Sequence, residues 1–167
     1  MGPRPTGVPT GWESAAARSA AKTAYDYFIG KGLKPVQAAA LVGNFLVESG
    51  YGLNPRADNG IGNHGIGQWG TSVASGQRWQ QLETWAAGRR LNVYSLQTQL
   101  DFVWHEMTTT YSSFRTSLKQ ITNLSNIDQA SDLVTRAYEG AIAGSGLQEP
   151  SQREYESRLV LATFLGT

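Results

Sequence analysis

The sequence contains no cysteine. That absence excludes both a disulfide framework and a zinc site built on thiolates. Charged residues are scarce at 16%, the formal net charge is +1, and no basic cluster occurs, so binding to nucleic acid or to a membrane is not expected. No apolar run reaches the roughly 18 residues of a membrane-spanning helix, and the first residues lack the charged and then apolar layout of a signal peptide.

A chain of 167 residues is long enough for one domain with a sizeable core. Residues 1–11 contain three of the six prolines and little that could pack, which predicts a flexible N-terminal arm or linker. Residues 12–167 are then expected to form the folded domain. Most of its five Trp rings are expected in the core, and the others are of the type that sugar-binding grooves use.

The segment from Val36 to Val47 is apolar almost all round, which predicts a helix buried inside the domain. Pro35 suits its first position and Gly50 the residue just past its end, so Glu48 falls in the last turn. The negative end of the helix dipole and the apolar surroundings both disfavour a carboxylate there, which predicts a raised pKa for Glu48. Such a carboxyl can act as a general acid, whereas the alternative is a solvated residue at a helix end.

The segment from Tyr51 to Gly70 is rich in glycine and asparagine, which predicts a loop or a short hairpin rather than a helix. Within it, the stretch from Gly60 to Gly65 formally matches a dinucleotide-binding fingerprint. That fingerprint requires a strand before it and a helix opening at its third glycine, and the sequence predicts neither. A nucleotide cofactor is therefore not expected.

Asp58 and His64 lie in this glycine-rich segment, which is expected to face the end of the buried helix. A carboxylate or an imidazole opposite a general acid can position or activate a water molecule. The alternative for Asp58 is a turn-capping role. His64 is expected to form hydrogen bonds in the cleft rather than bind a metal, because no second ligand lies at a suitable spacing. The sequence thus predicts neither a metal nor another cofactor.

Apolar residues at helical spacing predict further helices before Gly30 and around residues 79–88, 96–107, 111–121, 127–141 and 151–162. His105 and Glu106 lack the second histidine of a zinc-binding helix, so they are expected on the surface of the helix over 96–107. The expected architecture is a mostly helical, two-lobed domain with the 51–70 segment at the cleft.

Several elements occur in a characteristic order. The buried helix ends in Glu48-Ser49-Gly50 and is followed, after a polar loop, by Gly65-Ile66-Gly67-Gln68-Trp69. Further along come Gly88-Arg89-Arg90-Leu91 and Gln97-Thr98-Gln99-Leu100-Asp101-Phe102. Over roughly residues 15–165 this order resembles the lysozyme-like superfamily, and within it the phage tail lysozyme family. The resemblance implies a mainly α, lysozyme-like domain with two lobes, a central buried helix and a short loop or β-hairpin at the cleft.

The resemblance also implies catalytic residues. The spacing of Glu48, Asp58 and His64, with nine and then five residues between them, is similar to the Glu-x8-Asp-x5-Thr arrangement of phage-type lysozymes. It implies that Glu48 is the general acid and that Asp58 and His64 act with it. One extra residue and a His in place of Thr are departures from that arrangement.

A second set of residues is implied to bind substrate. Ser49, Gln68 and Trp69 belong to segments that line the sugar cleft in this superfamily. Their alternative roles are capping helix carbonyls for Ser49 and packing against the central helix for the other two. Tyr138-Glu139-Gly140 is similar to the Tyr-Asn segment of lytic transglycosylases, with Glu in place of Asn, which adds Tyr138 and Glu139 to the set.

The activity that follows is that of a muramidase, a bacteriolytic glycosidase that cleaves the glycan strand of bacterial peptidoglycan. The alternatives are a lytic transglycosylase acting on the same bond and a catalytically idle wall-binding or structural phage module. The expected partner is peptidoglycan, and the expected state is a monomer, either alone or as a domain fused to or excised from a larger phage protein. The resemblance implies a phage-encoded protein that reaches the host wall as a tail component or as an endolysin.

Overall fold

The computed structural model describes residues 11–140 and 149–167, and the fold is mainly α, as predicted. The helices are α1 (Ala15–Gly30), α2 (Pro35–Glu48), α3 (Arg78–Gly88), α4 (Leu96–Thr108), α5 (Ser112–Lys119), α6 (Ile127–Leu133) and α7 (Glu149–Phe164). A 3-10 turn covers Leu124–Asn126, and a π-helical turn, Val134–Tyr138, continues α6. Two short strands, β1 (Asn63–His64) and β2 (Trp69–Gly70), complete the elements. None of the helices in the described ranges combines the length and apolarity needed to cross a bilayer.

Helix α2 is the centre of the core, as its all-round apolar sequence predicts. It begins at Pro35 and is buried from Val36 to Leu46. Its main partner is α7, and it also packs against α1 and α6. Gly43 allows the close approach of α7, since a Cβ on Gly43 would lie 2.5 Å from the Cα of Ser157.

The glycine-rich segment forms the predicted hairpin. Strands β1 and β2 are antiparallel, with His64 opposite Trp69. A Cβ on Gly67 would lie 2.8 Å from the Trp69 indole. The turn can therefore close over that ring only because residue 67 has no side chain. The buried Gln99 side chain of α4 holds this segment, since it accepts a hydrogen bond from the Ile66 N–H at 2.9 Å and donates to the Pro55 carbonyl at 2.8 Å.

Trp12 packs against the last helix of the described residues. Its indole ring lies 5.5 Å from that of Phe164, and its N–H donates to the Thr163 hydroxyl at 3.3 Å. Trp12 is thereby held against the end of α7. The arm predicted over residues 1–11 lies almost entirely outside the described residues and stays a prediction.

Candidate functional site

Glu48 lies in the last turn of α2, where the sequence predicts it. Its Oε1 forms an ion pair with the guanidinium of Arg153 on α7, and its side chain is 17% exposed. The same guanidinium donates to Asn44 Oδ1 at 3.0 Å, one turn earlier on α2. Because it bonds to both Asn44 and Glu48, the buried Arg153 side chain lies along the last two turns of the central helix. It thereby fixes the direction of the Glu48 carboxyl.

This ion pair is the main feature of the site that the sequence did not reveal. A guanidinium in contact with a carboxyl favours the ionised form, whereas the helix end and the apolar core favour the neutral form. Only the helix end and the apolar core can be recognised in the sequence around Glu48. Arg153 lies 105 residues from Glu48, and no local pattern connects the two positions.

Glu139 brings a second carboxyl to this site. Its Oε1 is buried and has no hydrogen-bond partner among the residues that the structure describes. Burial raises the pKa of Glu139 well above its usual range, and the negative charge of Glu48 is the next largest contribution in the same direction. The guanidinium groups of Arg153 and Arg78 oppose this shift. The structure therefore brings Glu139 together with Glu48, and it favours the protonated form of Glu139.

The peptide that carries Glu139 is held by a buried polar network around Glu106. The carboxylate of Glu106 accepts hydrogen bonds from the Tyr138 hydroxyl at 2.7 Å, the Trp69 indole N–H at 3.0 Å and two guanidinium nitrogens of Arg78 at 2.8 and 2.9 Å. Glu106 is 4% exposed, so its predicted surface position is wrong. A buried carboxylate is tolerated here because several donors surround it.

This network also corrects the roles predicted for Trp69 and Tyr138. Each is 1% exposed, and the polar atom of each side chain is bonded to Glu106. Neither ring is accessible to a sugar, and both instead hold the hairpin and the π-helical turn against α4. Arg78 donates a further hydrogen bond to the Tyr138 carbonyl at 2.9 Å, which fixes the backbone immediately before Glu139.

Asp58 and His64 form a pair on the hairpin. Asp58 Oδ1 accepts the Gly60 N–H at 2.7 Å, which is the turn-capping role considered as an alternative. Its Oδ2 lies 3.5 Å from His64 Nδ1, and the Asp58 side chain is 54% exposed. The His64 ring packs on Trp79 with 5.1 Å between ring centroids. One carboxylate oxygen therefore shapes the loop, and the other faces the imidazole.

Ser49 takes the capping role that was considered as its alternative, whereas Gln68 has a structural role that was not considered. The Ser49 hydroxyl donates to the Phe45 carbonyl at 2.7 Å and is buried, so it caps the end of α2. The Gln68 amide donates to the carbonyls of Gly65 at 3.0 Å and Ala57 at 3.3 Å, and thus closes the loop rather than packing on the central helix. Within residues 11–140 and 149–167, no three potential ligands among His, Cys, Asp and Glu are grouped as a metal site would require.

Comparison with known protein families identifies one family that matches the chain. The model of a protein family described as phage tail lysozyme matches residues 19–163, which is nearly the whole chain. The match includes the central helix, the hairpin, Glu139 and Arg153. No curated protein matches the chain.

Proposed function

The chain belongs to the phage tail lysozyme family, which indicates a lysozyme-like glycosidase that acts on the cell wall. On this basis we propose that it hydrolyses the glycosidic bond between the two amino sugars of peptidoglycan. The observation that supports this proposal is the group formed by Glu48, Glu139 and Arg153 at the end of the central helix. Cleavage of a glycosidic bond requires a proton for the leaving oxygen, and this group contains two interacting carboxyls.

Glu48 is the proposed general acid. Two neighbouring carboxyls do not readily ionise together, so the pair retains a proton to a higher pH than either carboxyl would alone. We assign the storage of that proton to Glu139, whose buried oxygen favours the neutral form. We assign its delivery to Glu48, whose side chain is 17% exposed at the end of α2. The proton passes to the glycosidic oxygen as its bond to the sugar carbon breaks. Arg153 orients the Glu48 carboxyl and stabilises the charge left on it.

Asp58 is the proposed second group. Its Oδ2 faces the imidazole of His64, while its Oδ1 is held by the loop backbone, so the carboxylate is fixed in direction. A carboxylate held in this way can accept a proton from the water that attacks the sugar carbon, and His64 orients it. This step gives a new reducing end and leaves a proton on Asp58. Loss of that proton to solvent, and uptake of a proton from solvent by the pair of Glu48 and Glu139, restore the starting state.

A lytic transglycosylase is the second candidate, with the departure that Glu139 stands where those enzymes have Asn. Tyr138 and Glu139 resemble the Tyr-Asn segment of those enzymes, and Glu139 interacts with the charge of Glu48. In that reaction the 6-hydroxyl of the substrate attacks instead of water, and the product carries an anhydro end.

The experiment that tests these proposals uses purified cell walls. A loss of turbidity with the wild-type protein, but not with Glu48→Gln, would support a wall-degrading enzyme, whereas no loss with either would favour an idle wall-binding module. Mass spectrometry of the released fragments then separates the two enzymes, because hydrolysed and anhydro ends differ by one water. We expect hydrolysed ends. We also propose that the protein acts on the wall as part of a phage tail, with release as an endolysin as the alternative.

A further inference from the structure

Asn44 interrupts the apolar surface of α2. It is the only polar residue between Ala38 and Leu46, and its side chain is fully buried. Burying an amide costs free energy unless the amide is hydrogen-bonded, so an apolar residue would pack here more simply. Asn44 lies one turn before Glu48, which places both side chains on the same face of the helix. The role of this amide is therefore to be sought at the end of α2, where the proposed acid lies.

Both ends of the Asn44 amide are hydrogen-bonded. Its Nδ2 donates to the Ala40 carbonyl at 2.9 Å and to the carbonyl and hydroxyl oxygens of Ser131, each at 3.2 Å. Its Oδ1 accepts from the Thr135 hydroxyl at 2.8 Å and from Nη1 of Arg153 at 3.0 Å. A guanidinium can only donate, so the atom that faces Arg153 must be the amide oxygen. The side chain is thus fixed by α2 and α6 and presents its oxygen to α7.

The bond to Asn44 determines where the guanidinium of Arg153 points. Nη1 donates to Asn44, and Nη2 forms the ion pair with Glu48. Because a guanidinium is planar and rigid, fixing one of these nitrogens fixes the direction of the other. Thr135, which shares the same amide oxygen, lies in the π-helical turn four positions before Glu139. One oxygen atom therefore holds both the cation beside the first carboxyl and the backbone turn that leads to the second.

We propose that Asn44 is a positioning residue of the site, which holds the guanidinium of Arg153 against Glu48 and does not itself contact the substrate. The inference rests on the proposed function only for the role of Glu48 as the acid, since the position of the guanidinium can be tested without catalysis. Arg153 from α7 and Glu139 after the π-helical turn are charged groups that act on Glu48. If the guanidinium loses its buried acceptor and leaves its place, the charge of Glu139 remains, and it favours the neutral form of Glu48.

The test follows the titration of the Glu48 carboxyl carbon by ¹³C NMR, with the signal assigned through Glu48→Gln. Asn44→Leu keeps a similar volume but removes the acceptor for Arg153. It is expected to raise the midpoint of the Glu48 titration by at least about 0.5 pH units, because the cation is no longer held beside the carboxyl. The alkaline limit of wall lysis should move upward with it. Asn44→Ala, which adds no bulk, gives the same test if the leucine variant does not fold.

Gln37→Leu is the matched control. Gln37 is a second buried amide of α2, about two turns before Asn44, and its Nε2 donates to the carbonyls of Lys119 at 3.2 Å and Ile121 at 2.9 Å. Its loss should destabilise the protein but leave the titration of Glu48 unchanged. An equal rise of the midpoint in Gln37→Leu would mean that any loss of a buried amide from α2 produces the effect, and would overturn the positioning role of Asn44.

A double variant tests whether Asn44 acts through Arg153. In the Arg153→Met background, Asn44→Leu is expected to cause no further rise of the midpoint, because the guanidinium that it holds is already absent. A full additional rise would overturn the inference.

An unchanged or lowered midpoint in the single variants of Asn44 would overturn it as well. These results are independent of the proposed reaction. The expected rise in a protein that does not lyse walls would support the positioning role and end the enzyme proposal, whereas lysis that depends on Glu48 with an unchanged midpoint would do the reverse.

Discussion

The guanidinium of Arg153 on α7 forms an ion pair with the carboxyl of Glu48 at the end of α2, and the two residues are 105 positions apart. The docking of α7 therefore fixes the direction of the proposed general acid and places a cation beside it that favours its ionised form. Catalysis and the packing of the last helix should therefore respond together to changes at this contact.

Glu48→Gln is expected to reduce wall lysis by at least about 100-fold, because the amide keeps the shape of the side chain but cannot donate the acid's proton. The rate of turbidity loss measures the effect. Glu83→Gln is the matched control, since Glu83 is exposed on α3, and it should lyse walls like the wild type. Lysis by Glu48→Gln at the wild-type rate would contradict the assignment of Glu48 as the general acid.

Arg153→Met is expected to lower the free energy of unfolding by roughly 3–5 kcal/mol, because it leaves the partly buried Glu48 without its cation. It should also extend activity to higher pH, since the loss of the guanidinium favours the protonated carboxyls. Chemical denaturation and the pH profile of lysis measure these effects. Arg158→Met removes a half-exposed pair with Asp128 and should cost less than about 1 kcal/mol. Equal losses in both variants would contradict the special role of Arg153.

Glu139→Gln is expected to change the dependence of stability on pH. The pKa of Glu139 is raised in the folded protein, so its contribution to stability is complete below the unfolded value of about 4.3 and is lost as pH rises through the folded value. The Gln side chain of the variant does not titrate, so the stability of the variant does not show this decrease with pH. We therefore expect the wild-type Tm to fall relative to that of the variant as the pH rises above about 5. If the Tm of the wild type and that of Glu139→Gln changed with pH in parallel, Glu139 would not be the group that retains the proton.

Asp58→Ala is expected to slow lysis more than His64→Ala, because the carboxylate acts on water and the imidazole only orients it. Asp58→Asn separates chemistry from loop structure, since Asn can still accept the Gly60 N–H that caps the turn. We expect this variant to be folded and nearly inactive in the turbidity assay. Full activity of Asp58→Asn would restrict Asp58 to the turn.

Glu106→Gln is expected to lower the free energy of unfolding by about 3–5 kcal/mol, because the Arg78 guanidinium loses its buried partner charge. The hairpin and the π-helical turn should loosen first, which hydrogen exchange at the backbone amides of residues 62–71 and 134–140 would detect. Unchanged exchange in these segments would mean that Glu106 does not hold them.

Local patterns in the sequence were sufficient for the secondary structure and for one residue of the site. The apolar run from Val36 to Val47 predicted the buried helix, and Pro35 and Gly50 predicted its bounds, which placed Glu48 correctly. The glycines after Tyr51 predicted the hairpin. In each case the information lies within a few residues of the feature.

Long-range contacts could not be predicted in this way. Glu106 was expected at the surface because nothing near it in the sequence shows that Arg78, Trp69 and Tyr138 surround it. Arg153 was missed for the same reason. Trp69 was expected to bind sugar on the basis of resemblance, whereas its burial follows from packing against Phe102 and Glu106.

The absence of a side chain at Gly43 also bears on the chemistry of the site. The crossing of α2 and α7 is only as wide as this residue allows, and Arg153 lies on α7 one turn before Ser157, which faces Gly43. An added methyl group would move the guanidinium away from Glu48 without touching either residue. The ionisation of the proposed acid is thus set in part by a position that carries no charge, no polar side chain and no contact with substrate.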